Sequence, residues 1–341
     1  MFAGVDSHKD LLVAAVVNEL GRACDVETFV NTAAGHARLI AWVGARHGLV
    51  RVGVECSGSY GRQAALAFED AGLAVVEVPP HLTARDRRKH RQAGKNDEQD
   101  AVVIARIVAR EDDLPPIRPH GLSDDLAALV SYRDHLVADR TRTANRTHAL
   151  LGQIRPGYAA HCPRLTTKKA LRAARRLVEA DTTVSARLVC AQLERLEVLD
   201  TEIRARKHEL EALVATSGTS LTRLCGVGTV VAARILGEVG DPGRFGTRHK
   251  FARTNGTAPV PASSGRTQRH RLNRGGNRQL NRAIHTIALT QIRHHPDARA
   301  YYDRKRKENK TVAEALRCLK RRVSDAVYRC LQEDARALLT T

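Results

Sequence analysis

The stretch FAGVDSHKDLLVAAVVNELGRACDVETFV, residues 2–30, decides the fold. Two short polar segments, SHKD and NELG, separate its apolar runs and are typical of turns. Connections this short join antiparallel strands, because a parallel connection needs about a dozen residues or more. The stretch therefore predicts a meander of three strands, and Asp6 directly follows the apolar residues of the first one.

Helical and extended segments alternate after the meander. Residues 32–48 and 62–72 carry apolar positions at helical spacing, and each leads into a short apolar run, RVGVEC at 51–56 and LAVVEVPP at 73–80. A strand that is reached through a helical crossover pairs parallel to its neighbour. The order βββαβαβ predicts an α/β sheet of the RNase H-like type. The two prolines of LAVVEVPP are expected to end its last strand.

Acidic residues stand at the strand ends and the helix start that meet in such a sheet. Glu55 ends the fourth strand, and Asp97 and Asp100 lie in the first turn of an amphipathic helix predicted for residues 97–111. With Asp6 they form four candidate metal ligands, because carboxylate oxygens bind hard cations such as Mg²⁺. Two such ions about 4 Å apart would support in-line phosphoryl transfer. Each acid alone also fits a turn, a solvated strand end or a favoured helix start. The metal site is predicted from the joint pattern.

The charge of the chain indicates a polyanionic partner. Lys and Arg number 56 against 37 Asp and Glu, a formal net charge of +19. Neutralising phosphates with such residues releases counterions, so nucleic acid is the leading candidate. Aromatic residues make up only 4%, so base stacking is not expected to dominate binding. A basic run before the acidic helix is expected to hold phosphate at the same edge: Arg85, Arg87, Arg88, Lys89 and Arg91.

Composition argues against several other classes of protein. No apolar run reaches the roughly 18 residues of a membrane span, and no basic N-terminal segment precedes an apolar signal core. We therefore expect a cytoplasmic protein with no membrane partner. The seven cysteines are scattered without a CxxC pair, which argues against a disulfide framework and a zinc site.

The middle of the chain is predicted to be helical. DDLPPIRPH, residues 112–120, holds three prolines and predicts a domain boundary or a linker. Beyond it, apolar residues such as Leu188, Leu196 and Leu199 recur at the spacing of a coiled-coil or bundle helix, and residues 154–169 split the segment into two arms. Such a hairpin fits self-association into a homo-dimer or tetramer, and it equally fits packing within one chain.

The C-terminal segment combines a glycine turn with a serine-bearing basic loop. GVG at 226–228 resembles a helix-hairpin-helix element, whose glycines let backbone amides approach a DNA phosphate, and it also fits a plain interhelix turn. Ser263, Ser264 and Gly265 directly precede a run with six arginines and no acid. Guanidinium groups would stabilise the charge that develops when a serine attacks a phosphate, although the loop also fits a simple turn. The arginines named as candidate nucleic-acid contacts are Arg266, Arg269, Arg271, Arg274 and Arg278.

Six motifs occur in an order that resembles a known family. They are GVDSHKD (4–10), VGVECSGSYG (52–61), KNDEQDA (95–101), LCGVGTVVAARILGEVGDPGRF (224–245), GTAPVPASSG (256–265) and RGGNRQLNRAIH (274–285). The ordered set resembles the DEDD-type insertion-sequence transposases, which have a RuvC-like N-terminal domain and a serine-bearing C-terminal domain. The resemblance spans residue 2 to about residue 290.

The resemblance implies a recombinase that excises and inserts its own mobile element. Such an enzyme acts on donor and target DNA and is guided by a structured bridge RNA encoded at the element's end. The family's metal-binding tetrad matches Asp6, Glu55, Asp97 and Asp100. Its nucleophile, which links to DNA as a phosphoserine, matches Ser264, and a one-residue shift would exchange it with Ser263. No general base is evident beside Ser264, which favours a composite site where the serine of one subunit approaches the carboxylates of another.

Three predicted domains follow: a RuvC-like catalytic domain at 1–115, a helical coiled-coil dimerisation arm at 116–217, and a mainly α transposase domain at 218–341. Other functions fit parts of the pattern. A junction-resolving nuclease would use water and leave Ser264 in a DNA-binding turn, and a protein with an inactive site would only bind nucleic acid. GVDSHKD is also loosely similar to the phosphate turn of sugar kinases, but the sequence lacks glycine-rich adenine and phosphate loops that fit.

Overall fold

The structure of the protein, a computed structural model, describes residues 1–87, 96–117, 121–261, 270–271, 273 and 276–339. The chain forms two compact units. The first unit comprises Met1–Gly121, Val239–Ala288 and Asp297–Thr341. The second unit comprises Leu122–Glu238 and Leu289–Pro296.

The first unit is built on a mixed sheet of five strands in the order β3-β2-β1-β4-β5. The strands are β1 (Phe2–Ser7), β2 (Leu11–Val17), β3 (Ala23–Val30), β4 (Arg51–Glu55) and β5 (Val75–Val78). The first three form an antiparallel meander, and β4 and β5 extend the sheet in parallel from β1. This order confirms the predicted RNase H-like α/β domain.

Helices cover both faces of this sheet. They are α1 (Ala33–Gly44), α2 (Arg62–Asp70), α3 (Pro80–Arg87) and α4 (Asp97–Arg110). Successive side chains of a strand point to opposite faces. Val54 packs with Leu39 of α1 and Phe68 of α2 on one face, and Val78 packs with Ile104 of α4 on the other. Helix α3 was not predicted from the sequence. The two prolines do follow the end of β5, as predicted, but the second of them also begins this helix.

Two glycines allow α4 to lie directly on the sheet. A Cβ atom on Gly4 of β1 would lie 2.2 Å from the Ala105 nitrogen, and one on Gly53 of β4 would lie 2.1 Å from a Val108 methyl carbon. Both distances are too short for a side chain, so glycine is required for this approach. The absence of a side chain at these two positions thereby brings α4 close to β1 and β4.

The structure describes the proline-rich segment as far as Ile117 and pairs it with the sheet. The Pro115 carbonyl accepts a hydrogen bond from Glu77 N at 2.7 Å, and Pro116 forms an isolated bridge to β5. Prolines lack an N–H group but keep a carbonyl acceptor, so they suit the edge of a sheet. Ile117 is 3% exposed and belongs to the sheet core. Up to Ile117 the segment is therefore a paired sheet edge and not a linker, while the boundary between the two compact units falls just after it, at Gly121.

The remainder of the first unit joins the β5 edge of the sheet through Arg244. Its side chain is only 5% exposed and donates to Glu77 Oε2 at 2.9 Å, to Pro116 O at 2.9 Å and to Val239 O at 3.0 Å. A buried guanidinium is stable only where its donors find acceptors. The elements beyond it are α9 (Arg248–Thr254), β6 (Val260–Pro261), β7 (His270–Arg271), α10 (Arg278–His294), α11 (Pro296–Lys307) and α12 (Val312–Leu339), of which the end of α10 and the first residue of α11 belong to the second unit.

Helices form the second unit, and two of them are long. They are α5 (Leu122–Ile154), α6 (Lys168–Arg176), α7 (Val184–Thr216) and α8 (Thr229–Val239). The two long helices α5 and α7 pack against each other within the chain, with Leu151 of α5 buried beside Leu193 and Leu196 of α7. Arg140 of α5 also donates to Asp200 Oδ2 of α7 at 3.1 Å. Within the described part of the chain, no helix is long and apolar enough to span a bilayer.

The apolar seam of α7 differs from the predicted one near its N-terminal end. Leu188 is 49% exposed, whereas Val189 is fully buried with Leu193 and Leu196. Residues spaced four and then three apart share one face of a helix, which excludes Leu188 from that face. The buried residues of this seam pack against other residues of the same chain. Association with a second copy stays a prediction.

The glycine turn lies with the long helices of the second unit. A 3-10 helix of three residues, Leu221–Arg223, precedes Gly226, whose φ of +89° favours glycine, and α8 follows. The segment predicted as one C-terminal domain, 218–341, thus divides between the two units near Val239. The three predicted domains stay a prediction about functional modules, and they do not coincide with the compact units.

Candidate active site

The carboxyl ends of β1 and β4 meet at one edge of the sheet. The two strands run parallel with Val5 beside Val54, so the next residues, Asp6 and Glu55, stand at the same level. Both residues are buried, with 7% of Asp6 and 5% of Glu55 exposed. Buried carboxylates need partners that offset the loss of hydration. The fold therefore concentrates negative charge at this edge.

The start of α4 supplies two more carboxylates. Asn96 caps the helix and accepts a hydrogen bond from a first-turn N–H at 3.0 Å. Asp97 and Asp100 occupy the first turn, where the helix dipole favours negative charge. Asp100 is 6% exposed, and the residue after it, Ala101, packs against Gly4 of β1. The glycine contact thus sets the distance between the helix start and the sheet edge.

Asp6, His8 and Asp97 form a compact group of potential metal ligands. One ligand atom of each lies within 4.8 Å of the other two. His8 Nε2 is 3.2 Å from Asp6 Oδ2 and 3.5 Å from Asp97 Oδ1, so the imidazole contacts carboxylates from two separate elements. The sequence reasoning missed His8. Its position two residues after Asp6, at the end of an extended strand, was the available signal, because such side chains share one side.

The acids of this group act on one another. Burial raises the pKa of Asp6 above its usual value, the charge of His8 opposes that rise, and the charges of Asp100 and Asp97 add to it. Asp100 therefore lies near enough to Asp6 to repel its ionised form. Bound cations are the strongest local charges in such sites and offset repulsion of this kind. The electrostatics favour a cation at the sheet edge.

Thr83 of α3 orients the Glu55 side chain. Thr83 is 1% exposed. Its hydroxyl oxygen lies 2.6 Å from Glu55 Oε1 and 2.9 Å from the Pro80 carbonyl oxygen. Its single proton is best donated to the charged acceptor, since hydrogen bonds to carboxylates are the stronger ones. Ser7 Oγ also donates to the Glu55 backbone carbonyl at 2.6 Å. Glu55 is thus held from both its side chain and its backbone.

Cys56 turns the chain immediately after Glu55. Its φ of +58° lies in the left-handed region, which residues other than glycine rarely adopt. Its carbonyl accepts hydrogen bonds from Ser59 N at 2.9 Å and Gly61 N at 3.2 Å. Burial raises the pKa of the Cys56 thiol, and the charges of Glu55 and Asp6 raise it further. A thiol kept protonated in this way is a poor nucleophile, so Cys56 serves the turn.

Replacing Thr83 with valine should loosen Glu55 without changing the volume of the side chain. Loss of the buried hydroxyl leaves the carboxylate short of a donor, and we expect a cost of about 1–3 kcal/mol in unfolding free energy. On the prediction that Glu55 binds metal, loss of this outer partner should lower activity about 10- to 100-fold. Thermal unfolding and a DNA cleavage assay measure both effects. The control is Thr141→Val, which replaces an exposed threonine of α5. It should change the unfolding free energy by less than about 0.5 kcal/mol and leave the cleavage rate at the wild-type level.

The donor set fits a hard divalent cation. Carboxylate oxygens are the ligands that Mg²⁺ and Mn²⁺ prefer, and Asp6 and Asp97 place such oxygens around one point with His8. Glu55 stands beside Asp6 at the same sheet edge, and Asp100 is within electrostatic reach of Asp6. The structure therefore brings the predicted acids to one edge. Their assignment as a tetrad of ligands stays a prediction.

The basic run predicted to hold phosphate falls mostly outside the described residues. Arg88, Lys89 and Arg91 lie outside them entirely, and for Arg85 and Arg87 only the backbone of α3 is described. That helix begins at a proline, which suits the first turn because the missing N–H has no helical partner there. The role of these five residues in binding phosphate stays a prediction.

The serine-bearing loop also lies outside the described residues. The predicted residues in this group are Ser263, Ser264, Arg266, Arg269 and Arg274. Arg271 is described only by its backbone in β7, and Arg278 is an exposed residue at the start of α10. The structure does describe the two chain ends that flank the loop, which pair as antiparallel strands with Pro261 beside His270.

A buried polar network connects the elements that flank this loop. Asn281 of α10 donates through Nδ2 to the Asn255 carbonyl at 2.8 Å and accepts at Oδ1 from Lys320 Nζ at 2.8 Å. Asn255 follows α9, is fully buried and donates through Nδ2 to Ser324 Oγ at 2.8 Å. Burial lowers the pKa of Lys320, and the charge of Arg278 lowers it further. The network ties the chain before the loop to the chain after it.

Asn255→Ala is expected to destabilise the first unit by about 2–4 kcal/mol, because it leaves a cavity at a fully buried position and takes a partner from the buried Ser324 and the half-buried Thr257 hydroxyl groups. The Asn255 side chain serves Ser324, and it also accepts from Thr257 N at 3.1 Å and Thr257 Oγ1 at 2.7 Å. Denaturant unfolding measures the loss. Asn145→Ala on the exposed face of α5 is the control, and a similar loss in both variants would contradict the proposed importance of the network.

Fold and site together define a class of protein. An RNase H-like α/β domain carries buried carboxylates at the ends of adjacent parallel strands and at the start of the helix packed against them. A mainly helical region follows it. This is the architecture of an enzyme that transfers phosphoryl groups of nucleic acids.

Comparison with known proteins identifies the family. One family model, described as a transposase, matches residues 3–156, and a second, described as the transposase IS116/IS110/IS902 family, matches residues 218–303. The chain is 31% identical to the insertion element IS110 uncharacterized 43.6 kDa protein of Streptomyces coelicolor, over 85% of this chain and 83% of the relative. The chain therefore belongs to the IS110 family of transposases. It is an enzyme of DNA strand transfer, as the sequence resemblance implied.

Further relatives agree over nearly the whole chain. The insertion element IS900 uncharacterized 42 kDa protein of Mycobacterium paratuberculosis is 27% identical over 98% of this chain and 96% of its own length. The mini-circle putative transposase for IS117 of Streptomyces coelicolor is 26% identical over 97% of this chain and 94% of its own. A solved structure, T. thermophilus RuvC in complex with a Holliday junction substrate, is 16% identical with a TM-score of 0.23, over 31% of this chain and 92% of that chain.

Proposed function

We propose that this transposase cleaves and exchanges DNA strands at the β1–β4 edge with the aid of divalent cations, namely two Mg²⁺ ions. The observation that carries the proposal is the Asp6, His8 and Asp97 group, whose ligand atoms lie within 4.8 Å of one another. Asp6, Glu55, Asp97 and Asp100 would hold the ions. When bound, the ions supply Lewis-acid stabilisation of the attacking and leaving oxygens.

The protein's own residues prepare this edge for the reaction. Burial of Asp6, Glu55 and Asp100 keeps bulk water from the carboxylates, which strengthens every electrostatic interaction there. Thr83 fixes the Glu55 carboxylate, and His8 contacts the carboxylates of Asp6 and Asp97. The geometry of the acids is therefore set before DNA arrives, which is the condition for preorganised stabilisation.

The nucleophile in this proposal is the Ser264 hydroxyl, with Ser263 as the neighbouring alternative. Its Oγ forms a bond to phosphorus, the bond from phosphorus to the DNA 3′ oxygen breaks, and a 5′-phosphoserine link remains. The serine loses its proton, and the departing 3′ oxygen gains one. One phosphodiester replaces another, so the energy of the broken DNA linkage is conserved in the link between serine and phosphate. A DNA 3′ hydroxyl can then attack that link and rejoin the strand. The arginines that follow the serine would stabilise the charge of the transition state.

The proposal includes a bridge RNA that guides the enzyme to donor and target DNA. Membership of the family and the net charge of +19 support a nucleic-acid partner of this kind. A homo-dimer or tetramer would let the serine of one subunit act with the carboxylates of another. The glycine turn before α8 would contact the DNA backbone, and the enzyme would act on nucleoid DNA in the cytoplasm.

A reconstituted reaction tests the proposed function. The protein is incubated with donor DNA, target DNA, guide RNA and Mg²⁺, and recombinant DNA is expected only when all four are present. Denaturing gels should also show protein joined covalently to a DNA 5′ end. Cleavage without an adduct would identify a water-using nuclease instead. Binding without strand transfer at any metal concentration would identify a protein that only binds nucleic acid.

A further inference from the structure

The C-terminal helices carry a cluster of cations around one aromatic ring. The Arg322 guanidinium of α12 lies over the Tyr301 ring of α11, with Cζ 4.2 Å from the ring centroid. On α11 itself, Arg304 Cζ is 5.2 Å and Lys305 Nζ is 5.7 Å from the same centroid. Three positive groups from two helices therefore converge on a single tyrosine. We call Tyr301, Arg304, Lys305 and Arg322 the tyrosine cluster.

Charge around the tyrosine cluster is strongly one-sided. Residues 299–322 contain ten Lys and Arg and three Asp and Glu. Those three acids pair with cations other than Arg304 and Arg322, as in the contact of Arg299 with Asp303 at 2.8 Å. Lys305 of the cluster is one of these paired cations, since Glu308 contacts it at 2.7 Å. Among the residues that the structure describes, no carboxylate forms an ion pair with Arg304 or Arg322, and both are exposed. The two arginines keep their charge available to an external partner.

The arrangement of the cluster selects one kind of contact. Cation–π attraction to tyrosine is worth about 0.5–1 kcal/mol at exposed sites, which orients the guanidinium groups without neutralising their charge. The ring face is occupied by Arg322 at 4.2 Å, so an unstacked base has no free face of Tyr301 on that side. Single-stranded nucleic acid is held largely through such base stacking. Phosphates of a duplex backbone need only the guanidinium groups.

We propose that the tyrosine cluster binds the phosphate backbone of duplex DNA, with Arg304 and Arg322 each contacting a phosphate. DNA is the polyanion that a strand-transfer enzyme has to hold, and a contact away from the carboxylates adds affinity independent of sequence. The inference goes beyond the proposed function, because it depends neither on the serine nucleophile nor on the guide RNA. The sequence predicted a nucleic-acid-binding basic surface for residues 218–341 as a whole, and Arg278 was the last residue named in it, so the cluster adds specific contacts beyond that residue.

The salt dependence of DNA binding tests the inference. Each phosphate contact contributes about 0.9 to the slope of log affinity against log salt concentration. Arg304→Ala/Arg322→Ala should therefore lower the magnitude of that slope by about 1.8 and weaken duplex binding roughly tenfold at moderate salt. The measurement uses the full-length protein, a fluorescent DNA duplex of arbitrary sequence and a series of salt concentrations.

A matched control removes the same charge from ion-paired arginines. Arg299→Ala/Arg317→Ala also takes away two cations, but these contact Asp303 at 2.8 Å and Glu314 at 3.9 Å. Its slope should change by less than half as much. Equal changes in both double variants would overturn the inference, since they would reflect net charge alone. An unchanged slope in Arg304→Ala/Arg322→Ala would overturn it as well.

Two further measurements keep the result unambiguous. Arg304→Gln/Arg322→Gln removes the same two charges but keeps polar side chains over Tyr301. It should show the same change in slope, and it replaces the alanine variant if that variant does not fold. Binding to a duplex RNA is measured in parallel. A slope change seen with RNA and absent with DNA would make the cluster an RNA surface and would overturn the DNA assignment. Loss of recombination with an unchanged DNA slope would count against the cluster without affecting the proposed chemistry.

Discussion

Asp6→Asn is expected to abolish DNA strand cleavage while making the metal-free protein more stable. Asp6 is buried at the centre of the carboxylate group, and burial raises its pKa, so its ionised form is disfavoured in the folded state. Asparagine keeps the shape but carries no charge, so it removes the cost of burying a charge and takes a carboxylate out of the proposed metal site. We expect at least about a 10³-fold loss of cleavage rate, since metal stabilisation of the transition state is worth several kcal/mol.

The gain in stability should depend on pH in a defined direction. A carboxylate whose pKa is raised on folding costs stability as pH rises from its unfolded-state value through its folded-state value. The difference in melting temperature between Asp6→Asn and the wild type should therefore be smallest in acid. It should grow as pH passes above the ordinary aspartate value of 3.8 and level off only once pH exceeds the raised pKa of Asp6 in the folded state. Thermal unfolding in the presence of a chelator measures this difference.

Metal binding reverses the order of stability. Mg²⁺ that binds only the folded state raises the melting temperature of the wild type, and it should have little effect on Asp6→Asn. Asp10→Asn, an exposed acid in the turn after β1, is the matched control and should behave as the wild type in every measurement. Wild-type cleavage activity in Asp6→Asn would remove Asp6 from the catalytic site, and an equal response to Mg²⁺ would remove it from the metal site.

Ser264→Ala should eliminate the covalent link between protein and DNA. Alanine has no oxygen to attack phosphorus, so the rate of adduct formation should fall by at least about 10⁴-fold, as expected for loss of a nucleophile. Recombinant product should disappear with it, because rejoining depends on the retained phosphoester. Trapping with denaturant, followed by separation of free and protein-bound DNA, measures the adduct directly.

Ser263→Ala is the control for the serine assignment. It removes the adjacent hydroxyl, and it should leave adduct formation within a few-fold of the wild type. If Ser263→Ala loses the adduct and Ser264→Ala keeps it, the nucleophile is one residue earlier than we assign. If both variants still form product at the wild-type rate, the phosphoserine mechanism is wrong. DNA binding by both variants should match the wild type, because neither substitution alters a charge.

Some residues around the site are within reach of sequence reasoning and others are not. His8 follows Asp6 by two positions, directly after the last residue of β1, so the alternation of side chains along the strand points it to the same side as Asp6. Thr83 and Glu55 are 28 residues apart, and Lys320 and Asn281 are 39 apart. No local pattern links such pairs. Their contacts depend on where α3 and α12 pack, and α3 itself begins at a proline that also fits the end of a strand.

The sequence by itself determined the antiparallel meander, the parallel extension of the sheet and the family of the chain, because strand and helix periodicities and ordered motifs are local properties. The tertiary structure alone decided which acids come within ligand distance of one another. That distance depends on Gly4 and Gly53, whose missing side chains let α4 lie against β1 and β4. It also decided that the proline-rich segment closes a sheet edge and that the C-terminal segment divides between two units, since both depend on contacts between residues far apart in the chain.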